Sequence, residues 1–172
     1  FRMVYRIILL FTLMYSNAIY SQTIFINEYL ASNVTDYPEM YDFDDYTDWI
    51  ELYNTTASPI STNGLFITDT LAYLHKWNLP NHIIQPNSYL IIWADEDGNQ
   101  GEEHANFQLS NLGEQLVLSN VDSSVVDSIT YLPQSDDIAY GRSPNGSGQF
   151  TMLTPTFNAN NDFPNSIDEV SE

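Results

Sequence analysis

Asp48-Trp49-Ile50-Glu51-Leu52-Tyr53-Asn54 is the stretch that decides the fold of this 172-residue chain. Successive side chains of an extended strand point to opposite faces, so Trp49 and Glu51 share one face while Ile50 lies on the other. Alternation of this kind indicates a β-strand with a buried face. A tryptophan flanked by carboxylates is typical of the edge of a core, so we assign Asp48, Trp49 and Glu51 a structural role.

Short extended segments surround this strand on both sides. Residues 23–30 and 89–94 are rich in apolar, β-branched and aromatic side chains, and Val125, Asp127 and Ile129 share one face of a later segment. Turn residues recur about every 8–12 positions, and no window holds a sustained helical period. The pattern predicts an all-β fold, an antiparallel β-sandwich with Greek-key character.

The chain is strongly acidic. It has 23 Asp and Glu against 4 Lys and Arg, a net charge of −19 at pH 7. Two of the cations, Arg2 and Arg6, lie at the N-terminus, and without that segment Lys76 and Arg142 face 23 carboxylates, a net charge of −21. Nucleic-acid affinity comes from Lys and Arg, so nucleic acid is excluded as a partner, and anionic membranes are disfavoured.

Residues 1–21 have the pattern of a secretory signal peptide. Arg2 and Arg6 precede the apolar run 7–15, and small and polar residues follow. The run is shorter than the roughly 20 residues of a membrane span, so we expect cleavage after Ser21 or Ala18 and no span in the remaining chain. An uncleaved anchor is the alternative. We therefore expect a secreted or cell-surface protein, and the absence of cysteine suits bacterial export.

The length fits one domain with short flanking segments. We expect a signal peptide over 1–21, a sandwich domain over 22–160 and a polar tail or linker over 161–172. If the segment is a linker, we expect further domains of a longer protein to follow it.

Ordered sequence blocks carry a family resemblance. They are Ile26-Asn27-Glu28, residues 48–54, Gly64 with Ile67-Thr68-Asp69, Trp77 before Pro80, and then 89–95, 104–110, 113–118, 126–129, 140–146 and Thr154-Pro155. Each block is weak alone, but the order is specific. It closely resembles the lamin tail domain as it occurs in secreted bacterial proteins, over about residues 23–160.

The resemblance implies an immunoglobulin-like β-sandwich without a catalytic site, which serves as an accessory module beside other domains of exported proteins. One departure is Thr156, which follows Pro155 where the family often has glycine. The last turn is therefore expected to differ. The expected partner is a protein or a surface glycan.

Arg142 is expected to be structural. We predict that it pairs with one of four carboxylates: Asp48, Glu51, Asp136 or Asp137. A partly buried pair of this kind costs several kcal/mol when one partner is removed.

Two acidic clusters are candidates for a calcium site. The first includes Asp42 and Asp44, and the second includes Asp95, Asp97 and Asn99. Oxygen ligands on loops suit Ca²⁺, and the second cluster alternates like a calcium loop, although it lacks the last glutamate of the EF-hand pattern. The alternative is a solvated acidic face that keeps the protein soluble, with no cofactor bound.

Aromatic side chains around the first cluster suggest a carbohydrate-binding surface, and packing of the loop on the sandwich is the alternative. They are Tyr29, Tyr37, Tyr41, Phe43, Tyr46 and Trp49. His104, beside Glu102 and Glu103, is a weaker candidate for a transition-metal ligand, because no two histidines have metal-ligand spacing.

The sequence therefore predicts a non-catalytic accessory module rather than an enzyme. A calcium-dependent adhesion module or a carbohydrate-binding module is the alternative. A hydrolase with paired carboxylates ranks third, because a chain with 23 acids always places some pair at a suitable distance.

Overall fold

The computed structural model describes residues 23–38 and 45–162. Within these ranges the chain forms strands and no helix. The strands are β1 (Ile24–Leu30), β2 (Asp48–Asn54), β3 (Ile60–Ser61), β4 (Leu65–Thr68), β5 (Trp77–Asn78), β6 (Ile83–Ile84), β7 (Tyr89–Ala94), β8 (His104–Ala105), β9 (Gln115–Asn120), β10 (Val125–Thr130), β11 (Ala139–Ser143) and β12 (Gln149–Leu153). The prediction of an all-β sandwich is confirmed.

Two sheets form the body of the sandwich. A six-stranded sheet has the order β12-β11-β1-β2-β7-β8, and a four-stranded sheet has the order β10-β9-β4-β5. A small third sheet pairs β3 with β6. The pairs are antiparallel except for β7 and β8, which run parallel. Among the described residues, no helix is long and apolar enough to cross a membrane.

The main core lies between the two large sheets. Ile50 and Leu52 of β2 project into it, as do Leu116 and Leu118 of β9, and all four are fully buried. Burial of each such side chain contributes about 1.5–3 kcal/mol. The apolar face that the alternation in β2 predicts therefore lies in the core.

The other face of the six-stranded sheet is also covered. Residues 154–162, which we call the C-terminal strap, follow β12 and contact this outer face. The ring centroid of Phe157 in the strap lies 5.2 Å from that of Trp49 and 5.5 Å from that of Trp93. Trp49 is consequently 0% exposed although it lies on the face opposite Ile50.

The folded body extends past the domain boundary expected at residue 160. Asn161 is buried, and its Nδ2 donates to the backbone oxygens of Asn27 (3.3 Å) and Arg142 (3.2 Å). A Cβ atom at Gly141 would lie 2.3 Å from that same nitrogen, so the close approach requires glycine. The expected tail therefore begins no earlier than residue 163. Residues 1–22, which include the predicted signal peptide, and residues 163–172 lie outside the described residues.

Arg142 pairs with Asp127, which is none of the four carboxylates expected. Its Nη2 donates to Oδ1 (2.9 Å) and Oδ2 (3.0 Å) of Asp127, and its guanidinium lies 4.6 Å from the ring centroid of Phe150. Because Arg142 is on β11 and Asp127 on β10, the pair joins the two sheets. The prediction of its partner was wrong, because the four expected carboxylates are engaged elsewhere. Asp48 accepts a hydrogen bond from Asn33, Asp136 from Ser32, and Asp137 from Val34 and Thr35. Glu51 lies under the strap.

A bulge in β10 explains which side chains reach this pair. The register shifts between Val125 and Asp127. As a result Val125 is about half exposed, while Val126 packs against the core. The expectation that Val125 shares a face with Asp127 and Ile129 is therefore wrong, because the extra residue of a bulge reverses the alternation.

The Arg142–Asp127 pair also replaces missing strand pairing. β1 pairs with β11 only at Glu28 and Tyr29. Further along the same edge, the N–H of Ile26 donates to Asp127 Oδ2 (2.9 Å) and the carbonyl of Ile26 accepts from Arg142 Nε (2.9 Å). The ion pair thus satisfies backbone groups that no neighbouring strand reaches.

Replacing Asp127 with alanine is expected to lower the free energy of unfolding by about 3–5 kcal/mol, because a largely buried guanidinium, 14% exposed, loses its counterion. Urea unfolding at pH 7 measures the loss. The double variant Asp127→Leu with Arg142→Met removes both charges and is expected to lose less than the single variant. A cost below about 1 kcal/mol for Asp127→Ala, as for an exposed pair, would contradict this account.

Candidate functional site

An acidic cavity lies where β2 begins and β7 ends. The register places Asp48 opposite Ala94, so that the loop after β7 lies beside the chain entering β2. The cavity has a volume of about 300 Å³. Its lining comprises four carboxylates and five other residues: Asp45, Asp48, Asp95, Asp97, Tyr46, Thr47, Ala94, Gln100 and Gln108.

Asp95 and Asp97 make hydrogen bonds within their own loop and to His104 at the start of β8. Asp95 Oδ2 lies 2.5 Å from Nδ1 of His104, and Asp95 Oδ1 accepts from the N–H of Asp97 (2.9 Å). Asp97 Oδ2 accepts from Gln100 Nε2 (3.0 Å). Asn99 donates its backbone N–H to Asp97 (3.3 Å) and does not line the cavity. The structure thus brings together two of the three second-cluster candidates.

Metal-ligating side chains do not converge in the described part of the chain: no group of three or more His, Asp or Glu could hold a metal ion there. His104, the candidate transition-metal ligand, is buried against Asp95, while Glu103 pairs with His82 at 2.7 Å. Asp42 and Asp44 lie outside the described residues, so a calcium site that includes them stays a prediction.

Asp48, which lines the acidic cavity, is held by the loop after β1. Its Oδ1 accepts from the N–H of Asn33 (3.1 Å), and Asn33 Nδ2 in turn donates to the carbonyl of Thr47 (2.9 Å). Burial raises the pKa of Asp48 to about 6. This carboxyl therefore fixes the loop after β1 to the start of β2, which is a structural task.

A second pair of carboxyls lies on the outer face of the six-stranded sheet. Glu28 of β1 and Glu51 of β2 are directly opposite in the antiparallel register, and both are 0% exposed. A register shift at Asn27 turns that side chain toward the pair, and its Nδ2 donates to Glu51 Oε1 (2.7 Å). We call Glu28 and Glu51 the buried carboxyl pair.

The C-terminal strap supplies the remaining hydrogen-bond donors to the buried carboxyl pair. The N–H of Thr156 donates to Glu28 Oε1 (2.8 Å), and the N–H of Asn158 donates to Glu51 Oε2 (2.8 Å). The hydroxyl of Thr156 contacts Glu28 Oε2. Thr156 is the residue at which the sequence departs from the closing pattern of the family, and its hydroxyl lies inside this network.

Burial dominates the titration of the buried carboxyl pair. Desolvation raises the pKa of Glu28 to about 7 and that of Glu51 to about 8, and the charge of Glu28 adds to the second shift. A raised pKa of this size resembles that of a general acid. The strap nevertheless covers both carboxyls and occupies their oxygens, so a substrate has no access to them in this structure.

An aromatic groove of about 430 Å³ lies beside the strap on the same outer face. The rings of Tyr37 and Phe157 stack at 4.9 Å, and Trp93 forms the adjoining wall. Of the aromatic side chains proposed for sugar stacking, Tyr37 lines this groove and is 42% exposed. Tyr29 and Trp49 are buried, Tyr46 lines the acidic cavity, and Tyr41 and Phe43 lie outside the described residues.

Sequence reasoning missed Trp93 and Phe157 as parts of the groove. Trp93 is directly opposite Trp49 in the β2–β7 register, so the spacing of the two tryptophans within their strands was a usable signal. Phe157 stands in a polar segment near the end of the domain expected over 22–160. No periodic pattern marks it there.

Comparison with known families identifies a match. The family model described as Lamin Tail Domain matches residues 18–133, which include β1 to β10. This confirms the resemblance found in the sequence blocks over most of its extent. Domains of that family are immunoglobulin-like and non-catalytic. No curated protein matches the sequence. β11, β12 and the C-terminal strap lie beyond the matched range.

Lowering the pH from 8 to 5 is expected to raise the free energy of unfolding. The pKa of Glu28 is about 7 in the folded chain against an ordinary value of 4.5. Between these values the unfolded chain releases a proton that the folded chain keeps, so rising pH favours unfolding. For Glu28 alone the effect is roughly 3 kcal/mol; Glu51 acts in the same direction.

Urea unfolding at several pH values measures this dependence. Because general repulsion among the surface carboxylates also weakens in acid, the series is repeated at about 0.5 M NaCl, which screens exposed charges far more than buried ones. A pH dependence that disappears in high salt would assign the effect to the surface and contradict the role of the buried carboxyl pair.

Proposed function

Because this chain belongs to the Lamin Tail Domain family, we propose that it is a non-catalytic accessory module of a secreted or cell-surface bacterial protein. In this proposal it binds a protein partner or acts as a spacer between other domains. The main support for this proposal is that the strap covers the buried carboxyl pair. The carboxyls best placed for acid–base chemistry are sealed under the strap and satisfied by its donors.

Exposed apolar side chains at one end of the four-stranded sheet support a role in protein binding. Val121 is 69% exposed in the turn between β9 and β10, and Tyr73 is 60% exposed in the loop before β5. His75 Nε2 lies 3.1 Å from the carbonyl oxygen of Asn120, which fixes that loop to the turn. We call Tyr73, Val121 and Val125 the turn patch. Exposed side chains of this kind are typical of interaction sites when they cluster.

The charge of the chain restricts the chemistry of such a partner. A net charge of −19 favours basic protein surfaces and disfavours phosphate backbones. The two cations in the described residues are both engaged, since Lys76 pairs with Asp69 at 2.7 Å and Arg142 pairs with Asp127. Neither is free to neutralise a phosphate.

The turn patch makes the proposal testable in the producing cell. Chemical crosslinking of the full chain is expected to give complexes that the variant Val121→Asp with Tyr73→Asp loses, because charges at these positions disfavour apolar contact. Leu132→Asp is a matched control: Leu132 is 77% exposed and lies beyond the other end of β10. Equal loss in the control would show a general effect of added charge and contradict a role for the patch.

Enzymatic activity is tested on the same protein. Chromogenic glycoside, phosphate and ester substrates are expected to give no turnover above buffer. Turnover that Glu51→Gln abolishes would overturn the non-catalytic role and revive a hydrolase with paired carboxylates.

Calcium-dependent adhesion is the second candidate, because four carboxylates line the acidic cavity. The hydrogen bonds of Asp95 and Asp97 oppose it, and so does the lack of three converging ligands among the described residues. We therefore expect Ca²⁺ and Mg²⁺ at equal concentration to raise the melting temperature of the full chain by the same small amount, through charge screening. A Ca²⁺-specific rise of several degrees relative to EDTA would favour the adhesion module instead.

A further inference from the structure

A hydroxyl in the C-terminal strap has two acceptors and one proton. Thr156 Oγ1 contacts Glu28 Oε2 and also lies 2.7 Å from Asn161 Oδ1. A threonine hydroxyl donates a single hydrogen bond. It cannot donate to both oxygens, so one of the two partners must itself carry a proton.

The orientation of the Asn161 amide decides which partner that is. Its Nδ2 donates to the carbonyl oxygens of Asn27 and Arg142. Turning the amide over would face its oxygen toward two acceptors, so Oδ1 must point to Thr156. The threonine proton therefore goes to Asn161, and the short contact with Glu28 requires a proton on Glu28 Oε2.

We propose that the C-terminal strap is a proton-operated latch, closed by the proton shared between Glu28 and Thr156 and opened when that proton is lost. In the closed state Glu28 donates to Thr156 and Thr156 donates to Asn161. Loss of the proton leaves a single hydroxyl proton between two acceptors, Glu28 Oε2 and Asn161 Oδ1. One of these two buried contacts then brings oxygen against oxygen without a proton, and the central anchor of the strap is weakened.

The groups around Glu28 do not supply a compensating positive charge. β2 brings Glu51, β7 brings the Tyr89 hydroxyl, and the strap itself ends at Asp162. From β11 comes Arg142, whose guanidinium is engaged by Asp127. An ionised Glu28 would thus face an acidic neighbour without a free cation. Burial raises its pKa to about 7, which brings this ionisation near neutral pH.

Opening of the latch would change which surface the protein presents. Phe157 would leave Trp49 and Trp93, which it now covers on the outer face of the six-stranded sheet. The N–H groups of Thr156 and Asn158 would lose their acceptors on the buried carboxyl pair. The aromatic groove would widen into an apolar face in mildly alkaline solution, while the core between the sheets stayed closed.

Hydrogen exchange of the full chain between pH 5 and 9 tests the latch. After correction for the intrinsic exchange rate, protection of the Thr156 and Asn158 amides is expected to fall by up to about tenfold per pH unit between pH 5 and 7, because opening then releases the Glu28 proton, and to level off above pH 7, where Glu28 is ionised in both states. The amide of Leu118, in the buried β9, reports global unfolding; its protection is expected to fall in the same direction, because unfolding also exposes Glu28, but to stay far above that of the strap amides at every pH. Unchanged strap protection up to pH 9 would overturn the proposal.

Glu28→Gln is the decisive variant. A glutamine oxygen accepts from the N–H of Thr156, and its Nε2 donates to Thr156 Oγ1, so the amide reproduces the protonated acid without a titratable proton. The protection of the Thr156 amide is then expected to lose the contribution of Glu28 to its pH dependence, and only the weaker contribution of Glu51 remains. Glu114→Gln is the matched control, because Glu114 accepts from Ser110 and Tyr131 away from the strap. It is expected to keep the wild-type profile.

Thr156→Ala keeps the test decisive if Glu28→Gln does not fold. It removes the hydroxyl that links Glu28 to Asn161 but leaves both residues in place. The strap amide of Asn158 is then expected to exchange at least tenfold faster than in the wild-type chain already at pH 5. Wild-type protection in this variant, or a wild-type pH profile in Glu28→Gln, would refute the latch.

Discussion

Arg142 holds the sandwich together where the pairing of β1 with β11 stops, next to Glu28 and Tyr29. The guanidinium donates to the carbonyl of Ile26 on β1, to the carbonyl of Gly148 before β12, and to Asp127 on the opposite sheet. Three segments of chain thus converge on one planar cation, a geometry that lysine could not reproduce. In a chain with a net charge of −19, this cation is scarce. The position of β10 on β1 and the course of β12 both depend on it.

The same region accounts for the second unusual feature, a sheet that is covered on both faces. Antiparallel sheets commonly leave one face in water. Here the bulge at Asn27 and the polar side chains of Glu28 and Glu51 create a row of buried hydrogen-bonding groups that water would otherwise satisfy. The C-terminal strap fits this row because it supplies N–H groups, a hydroxyl and an amide in the right order. Its polar composition is therefore the reason that it docks.

This logic also explains what the sequence could and could not predict. The alternation of Trp49, Ile50 and Glu51 fixed the strand and its two faces, because periodicity depends on local geometry alone. The partner of Arg142 was not predictable from the alternation, because a bulge in β10 places Val125 and Asp127 on different faces of the strand. Asp127 among apolar side chains was nevertheless a signal that a cation must reach it. The docking of the strap on the outer face was not predictable, because its burial depends on polar partners more than 100 positions away.

The acidic surface helps to keep the buried carboxyl pair protonated. Every exposed carboxylate raises the cost of ionising another acid nearby, since like charges disfavour each other. A chain with 23 acids therefore keeps a buried glutamic acid neutral more easily than a chain of balanced charge. A neutral Glu28 is both donor and acceptor, whereas a carboxylate only accepts. The acidic composition thereby supports the hydrogen-bond chain from Glu28 through Thr156 to Asn161, and with it the closed outer face of the sandwich.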